Sequence, residues 1–188
     1  MPITTIDDRT ALIVIDLQRG IVAFPLAHPV AGVLANARAL AAAFRRQQLP
    51  VVLVNVTGGA PGRAEQTRGG GPPAADWAVL VPEVDQQPSD HVVTKQTWGA
   101  FSKTNLAGYL KDQGVTQVVV IGVATSFGVE STARQAHELG FNVAFAVDAM
   151  TDMNADAHIN SVTRIFPRLG ETGTTQDIIQ RLDARAAG

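Results

Sequence analysis

The chain has 188 residues, with 15 Lys and Arg against 17 Asp and Glu, and a formal net charge of −2. Hydrophobic residues make up 46% and charged residues 17%, the balance of a folded globular chain and not of a disordered one. Near-neutral charge leaves no electrostatic footprint for nucleic acid or an anionic membrane, and no apolar run approaches the roughly 20 residues of a membrane span. There is no cysteine, which excludes disulfides, thiolate metal ligands and a cysteine nucleophile. The length predicts one domain over residues 1–188. Met1 to Thr10 lacks a signal-peptide core, so the expected location is cytoplasmic, with neither nucleic acid nor membrane as partner.

In chain order, Thr10–Ile15 is a continuous apolar run that stops at Asp16, the pattern of a strand buried on both faces. Val30, Val33, Leu34, Ala37, Leu40, Ala41 and Phe44 then recur at three- and four-residue spacing and predict a helix. A second strand follows at Val51–Val56. The stretch Gly58–Pro73 holds six glycines and three prolines. It lacks the Gly-Lys-Ser/Thr ending of a phosphate loop and reads first as a flexible surface loop. A lid carrying Arg63 or Arg68 as an anion clamp is the alternative.

The third strand run, His91–Thr94, ends at Lys95. Ser102 is a candidate N-cap for a helix through Leu106, Tyr109, Leu110 and Gln113, closed by Gly114. Gln117–Val123 is a fourth strand, Thr125–Leu139 a helix stopped by Gly140, and Asn142–Val147 a fifth strand with Asp148 capping the turn after it. Helices are expected again from Asn154 to Arg168 and from Thr175 to Arg185. This alternation predicts an α/β three-layer αβα sandwich of Rossmann-like type. Its sheet is expected to be six-stranded, mostly parallel and doubly wound in the order 3-2-1-4-5-6. Ligands in such sheets bind beyond the carboxyl ends of the strands, where the strand order reverses.

That rule selects Asp16 and Lys95, a carboxylate and an ammonium at strand ends beside one crevice, able to hold and move a proton. It also selects the small-residue turn Gly122-Val-Ala-Thr-Ser-Phe-Gly128, where helix-start amides can face a substrate oxygen. Gln18, Trp98, Phe101, Ala124, Thr125 and Phe127 are the expected substrate-binding residues around them. Ser126 reads as a helix-start bonding residue before it reads as a nucleophile. His28, His91, His137 and His158 show no paired ligand spacing, so neither a metal nor another cofactor is expected.

Leu12-Ile-Val-Ile-Asp16-Leu-Gln18, Lys95 with Gly99-Ala-Phe101, and Gly122-Val-Ala-Thr with Val129-Glu-Ser-Thr-Ala133 together resemble the isochorismatase-like hydrolase family over nearly the whole chain. Most relatives use an Asp–Lys–Cys triad, and Asp16 and Lys95 match its first two members. Gly128 stands at the position of the third. The resemblance implies a hydrolase working without a thiol, as in true isochorismatases, where an Asp protonates a vinyl ether and water completes the cleavage. It also implies a cis peptide at Val123–Ala124, a small-molecule substrate, and a homodimer or higher homo-oligomer. The chain departs from siderophore-type isochorismatases at Thr97 and Trp98, where they carry Arg and Tyr. It departs again at Ala124 and Ser126, where they carry Tyr and His. An amidase-type reaction using water or Ser126, or a non-catalytic ligand-binding role, are the alternatives.

Overall fold

The computed structural model describes residues 3–65 and 73–186. Six strands form one sheet in the order β3-β2-β1-β4-β5-β6: β1 (Thr10–Ile15), β2 (Val51–Val56), β3 (His91–Lys95), β4 (Gln117–Val123), β5 (Asn142–Thr151) and β6 (Glu171–Gly173). Every neighbouring pair is parallel, so each connection must cross over a face of the sheet. All six residues of β1 and all seven of β4 are buried, which is why both read as unbroken apolar runs.

The period of two along β1 divides the core. Leu12 and Val14 point to one face, where the long helix α2 (Val30–Arg46) packs beside the C-terminal helix α7 (Thr175–Ala186) through Val33, Leu40, Phe44, Ile178 and Leu182. Ala11, Ile13 and Ile15 point to the other face. There α3 (Leu106–Asp112) and α4 (Glu130–Glu138) supply Leu106, Leu110, Ala133 and Ala136. A short helix, α1 (Arg19–Val22), follows β1 directly. Gly114 and Gly140 end α3 and α4 at φ +68° and +88°, the left-handed conformation that a stop signal requires.

Several boundaries differ from the sequence pattern. The helix expected over 154–168 comes in three pieces: α5 (Ala155–Asn160), a π-helical turn (Ser161–Ile165) and α6 (Phe166–Leu169). Pro167 lies in the first turn of α6, where it has no backbone N–H to give to a continuous helix. Ser102 does not cap α3. Its hydroxyl accepts a hydrogen bond from Gln135 Nε2 at 2.6 Å, and Thr104 Oγ1 accepts the Leu106 amide instead. The fifth strand runs on to Thr151 because the β4–β5 register shifts between Val120 and Gly122 and pairing then resumes. Asp148 is therefore inside β5, and its carboxylate accepts the Thr175 amide and hydroxyl at the start of α7. The sixth strand has only three residues and gives no apolar run to read.

Two backbone features bring the ends of β1 and β4 together. Gly122 has φ +117°, and a Cβ there would lie 2.0 Å from the Ile15 carbonyl oxygen. Only glycine permits this approach. The Val123–Ala124 peptide is cis, as the family resemblance implies. No helix among the described residues is long and apolar enough to cross a membrane.

Candidate active site

Asp16 follows the last residue of β1, beside the point where the sheet order reverses between β1 and β4. Its backbone turns left-handed at φ 51°, a conformation that Asp tolerates better than most residues. The amide still donates to Val54 O at 2.9 Å, so the residue stays tied to β2 while its direction changes. Lys95, the last residue of β3, reaches past the end of β2. Its Nζ donates to Asp16 Oδ2 at 2.7 Å and to Thr97 O at 3.2 Å. Side-chain exposure is 1% for Lys95 and 7% for Asp16, so the two charges compensate one another away from bulk water.

The third wall comes from β4. After the cis peptide the chain enters a π-helical turn, Thr125–Val129, that leads into α4. A Cβ at Gly128 would lie 3.2 Å from Asp16 Oδ2 and 2.8 Å from Ile15 Cγ2. The bare backbone of Gly128 thus sits directly over the carboxylate. Above it opens a cavity of about 340 Å³ whose lining includes Asp16, Lys95, Ala124, Gly128, Trp98 and Phe127. Trp98 and Phe127 meet edge to face at its mouth, with centroids 4.9 Å apart.

The structure brings six of the nine sequence-expected site residues to this cavity and turns three away. Gln18 is buried and clamps the chain after β1: Nε2 donates to Val56 O and Trp77 O, while Oε1 accepts the Val56 amide at 2.7 Å. Phe101 packs toward the α3/α4 core near Phe141, with centroids 6.1 Å apart. Thr125 points behind the turn, where its hydroxyl donates to Thr151 O at 3.0 Å. Of the two arginines proposed for a lid, Arg63 is exposed and does not line the cavity, and Arg68 lies outside the described residues.

Behind the turn lies a polar network that the sequence pattern did not show. Asp152 Oδ2 accepts both the amide and the hydroxyl of Ser126, each at 2.8 Å, so the Ser126 hydroxyl faces away from the cavity. Thr125 commits its single hydroxyl proton to Thr151, so His158 Nδ1, 2.8 Å away, is the donor to Thr125 Oγ1. His28 contacts the His158 ring edge-on at 4.7 Å and pairs with Thr151 Oγ1 through Nδ1. Burial and the nearby His28 lower the His158 pKa from its usual value, while Asp152 opposes the shift. Sequence reasoning also missed Ile21, Val56 and Met153 in the cavity wall. A longer β5 would have revealed Asp152 and Met153, because both follow its true end. Among the described residues, no group of three or more His, Asp or Glu could hold a metal ion.

A sequence model of the isochorismatase domain matches residues 10–177. The chain belongs to the isochorismatase family. It is 39% identical over 181 residues to the isochorismatase family protein YwoC of Bacillus subtilis, covering 93% of this chain and 94% of that one. The structure of an isochorismatase family protein from Burkholderia thailandensis superposes with a TM-score of 0.90 at 37% identity, covering 95% of this chain and 98% of the other. Maleamate amidohydrolase of Pseudomonas putida is 33% identical over 113 residues, 60% of this chain and 51% of its own. The isochorismatase family and its neighbours are hydrolases, and this chain is a hydrolase of that family.

Proposed function

We propose that this protein hydrolyses a small carbonyl compound by acid–base catalysis, with water in place of a side-chain nucleophile. The observation that carries the proposal is the backbone of Gly128, whose missing Cβ would lie 3.2 Å from Asp16 Oδ2. By the family resemblance this is the position of the thiol in relatives that use one; here Gly128 puts no side chain there. Asp16, held in place by the Lys95 ammonium, accepts a proton from a water as the water oxygen adds to the substrate carbonyl carbon. The substrate oxygen takes up the negative charge against the uncovered backbone at Gly128. Asp16 then returns the proton to the departing nitrogen or oxygen, so the pair ends as it began. The likeness to maleamate amidohydrolase supports a C–N bond as the one broken.

A second reading runs the same pair in the opposite direction and is favoured by the 2.7 Å Lys95–Asp16 contact, which places an exchangeable proton beside the cavity. In vinyl-ether cleavage of an isochorismate-like carboxylate, Asp16 passes that proton to the methylene carbon. Water then adds to the oxocarbenium ion and gives a proton back to Asp16, and the hemiketal collapses to pyruvate and the ring alcohol. The two are separated by assaying ammonia release from a panel of small amides and pyruvate release from isochorismate. Whichever activity is found, Asp16→Ala should lower it by about 10²- to 10⁴-fold, and Ser126→Ala should leave most of it. Turnover that survives Asp16→Ala would refute the assignment of the acid–base role.

A further inference from the structure

Two walls of the cavity come from distant parts of the chain, and α4 joins them. One is the turn Thr125–Val129, which carries Phe127 and the bare backbone of Gly128. The other is the segment after β3, which carries Trp98 and, at Thr97, a carbonyl that accepts the Lys95 ammonium at 3.2 Å. Thr132, the third residue of α4, is fully buried between them. Its Oγ1 donates to Gly128 O at 2.7 Å and accepts the Ala100 amide at 3.0 Å. A carbonyl only accepts and an amide only donates, so this hydroxyl spends its single proton on the turn and a lone pair on the segment.

The first bond alone would be ordinary, because threonine inside a helix often bonds the carbonyl four residues back. The second is not, because Ala100 is 32 residues away and fully buried. A buried amide that loses its acceptor is costly, so the segment would have to move to recover one. Gln135, one turn further along α4, holds the same segment. Its Oε1 accepts the Phe101 amide at 3.1 Å and its Nε2 donates to Ser102 Oγ at 2.6 Å. Gly99 makes room for it, since a Cβ there would lie 2.2 Å from Gln135 Oε1. Trp98 then meets Phe127 across the mouth at 4.9 Å between centroids. The contacts thus close a ring that runs from Phe127 through Gly128, the Thr132 hydroxyl and Ala100 back to Trp98.

We infer that Thr132 is a positioning residue of the active site: its hydroxyl sets the spacing between the Gly128 turn and the Trp98 wall, with Gln135 fixing that wall one turn further on. This rests on the reading of the cavity as the site of hydrolysis. The amide, hydroxyl and carbonyl form a chain in which each bond strengthens the next, so loosening either wall is passed to the other. Misplacing reacting groups by about 1 Å can lower a rate about 10²-fold. Thr132→Val keeps the shape of the side chain and removes both bonds. Thr132→Ser keeps both bonds and removes only the methyl.

The protein has two tryptophans, Trp77 and Trp98, so 5-fluorotryptophan labelling gives two fluorine resonances, and Trp98→Phe shows which belongs to Trp98. In Thr132→Val the Trp98 resonance should move toward its position in Phe127→Ala, where the facing ring is gone, while that of Trp77 stays. Thr132→Ser should keep the wild-type position. These resonances need no turnover, so they judge the inference even if no hydrolysis is detected. Where hydrolysis is detected, Thr132→Val should raise KM by about three- to ten-fold, the worth of a displaced aromatic contact. Loss of folded enzyme lowers kcat and leaves KM alone. An unmoved Trp98 resonance in folded Thr132→Val, an equal shift in Thr132→Ser, or an unchanged KM would overturn the role of the hydroxyl. If Thr132→Val does not fold, both resonances collapse, and Gln135→Met at a half-buried position decides instead. A shifted Trp98 resonance there supports the inference, and an unmoved one overturns it.

Discussion

The two sides of the turn Thr125–Val129 are built on opposite principles. Behind it, two sets of hydrogen bonds hold the turn, one joining Thr125, Thr151 and His158 and the other joining Ser126 and Asp152. In front, Ala124, Phe127 and Gly128 face a cavity whose described lining is largely apolar and in which Asp16 and Lys95 are paired at 2.7 Å. A satisfied polar network in a low-dielectric setting fixes backbone position, because any displacement strands a donor or acceptor. The front instead presents a paired carboxylate and ammonium to what enters. One face therefore holds the turn still so that the other can react, and consecutive residues of a single turn are divided between the two tasks.

Breaking the front should have the largest effect on stability. Lys95→Met leaves the Asp16 carboxylate buried without its cation, and the free energy of unfolding should fall by about 3–5 kcal/mol. Adding Asp16→Asn to that variant should restore much of the loss while leaving it inactive. A single Lys95→Met variant as stable as wild type in denaturant titration would mean that the pair is not desolvated. Breaking the back comes next. Asp152→Ala strands the Ser126 amide and hydroxyl, and stability should drop by about 1–3 kcal/mol. Catalytic rate should fall with it although Asp152 lines no part of the cavity, whereas a fall in stability with an unchanged rate would separate the two faces.

Filling the front sharpens the contrast. Gly128→Cys places a Cβ 2.8 Å from the branching methyl of the buried Ile15, a contact that must be relieved by movement. Overpacking of this kind costs about 1–3 kcal/mol. The substitution should give no burst of covalent intermediate by mass spectrometry. Ile15→Leu removes that methyl, so the double variant should be more stable than Gly128→Cys alone; equal instability would point to the backbone instead.

The smallest effect concerns pH at the back. His158 has its folded-state pKa below the usual 6.5, so the unfolded chain takes up the proton first as pH falls. Stability should therefore be full above about pH 6.5, decline below it, and level off beneath the lowered folded value. His158→Asn should flatten that decline in pH-dependent thermal unfolding, and an unaltered slope would remove His158 as its source.

Part of this division was legible in the sequence. An apolar run that stops at Asp16, another that stops at Lys95, and a small-residue turn ending in Gly128 mark three strand ends, and a parallel sheet gathers strand ends at one edge. The back of the turn was not legible. β5 continues through a register shift to Thr151, so Asp152 falls in the place where a shorter strand had put Asp148. Gln18, Thr125 and Phe101 have suitable chemistry for a substrate site, but hydrogen bonding and packing turn them elsewhere.

The sequence by itself determined the sheet, because burial on two faces demands continuous apolar strands, and it determined the proton-handling pair, because charges survive only where such strands end. Only the tertiary structure decided direction. The left-handed turn at Asp16, the Ile15 methyl under Gly128 and the carboxylate of Asp152 set which side chains meet in the cavity and which lock the turn from behind. Those contacts join residues far apart in the chain, so neither composition nor local periodicity carries them.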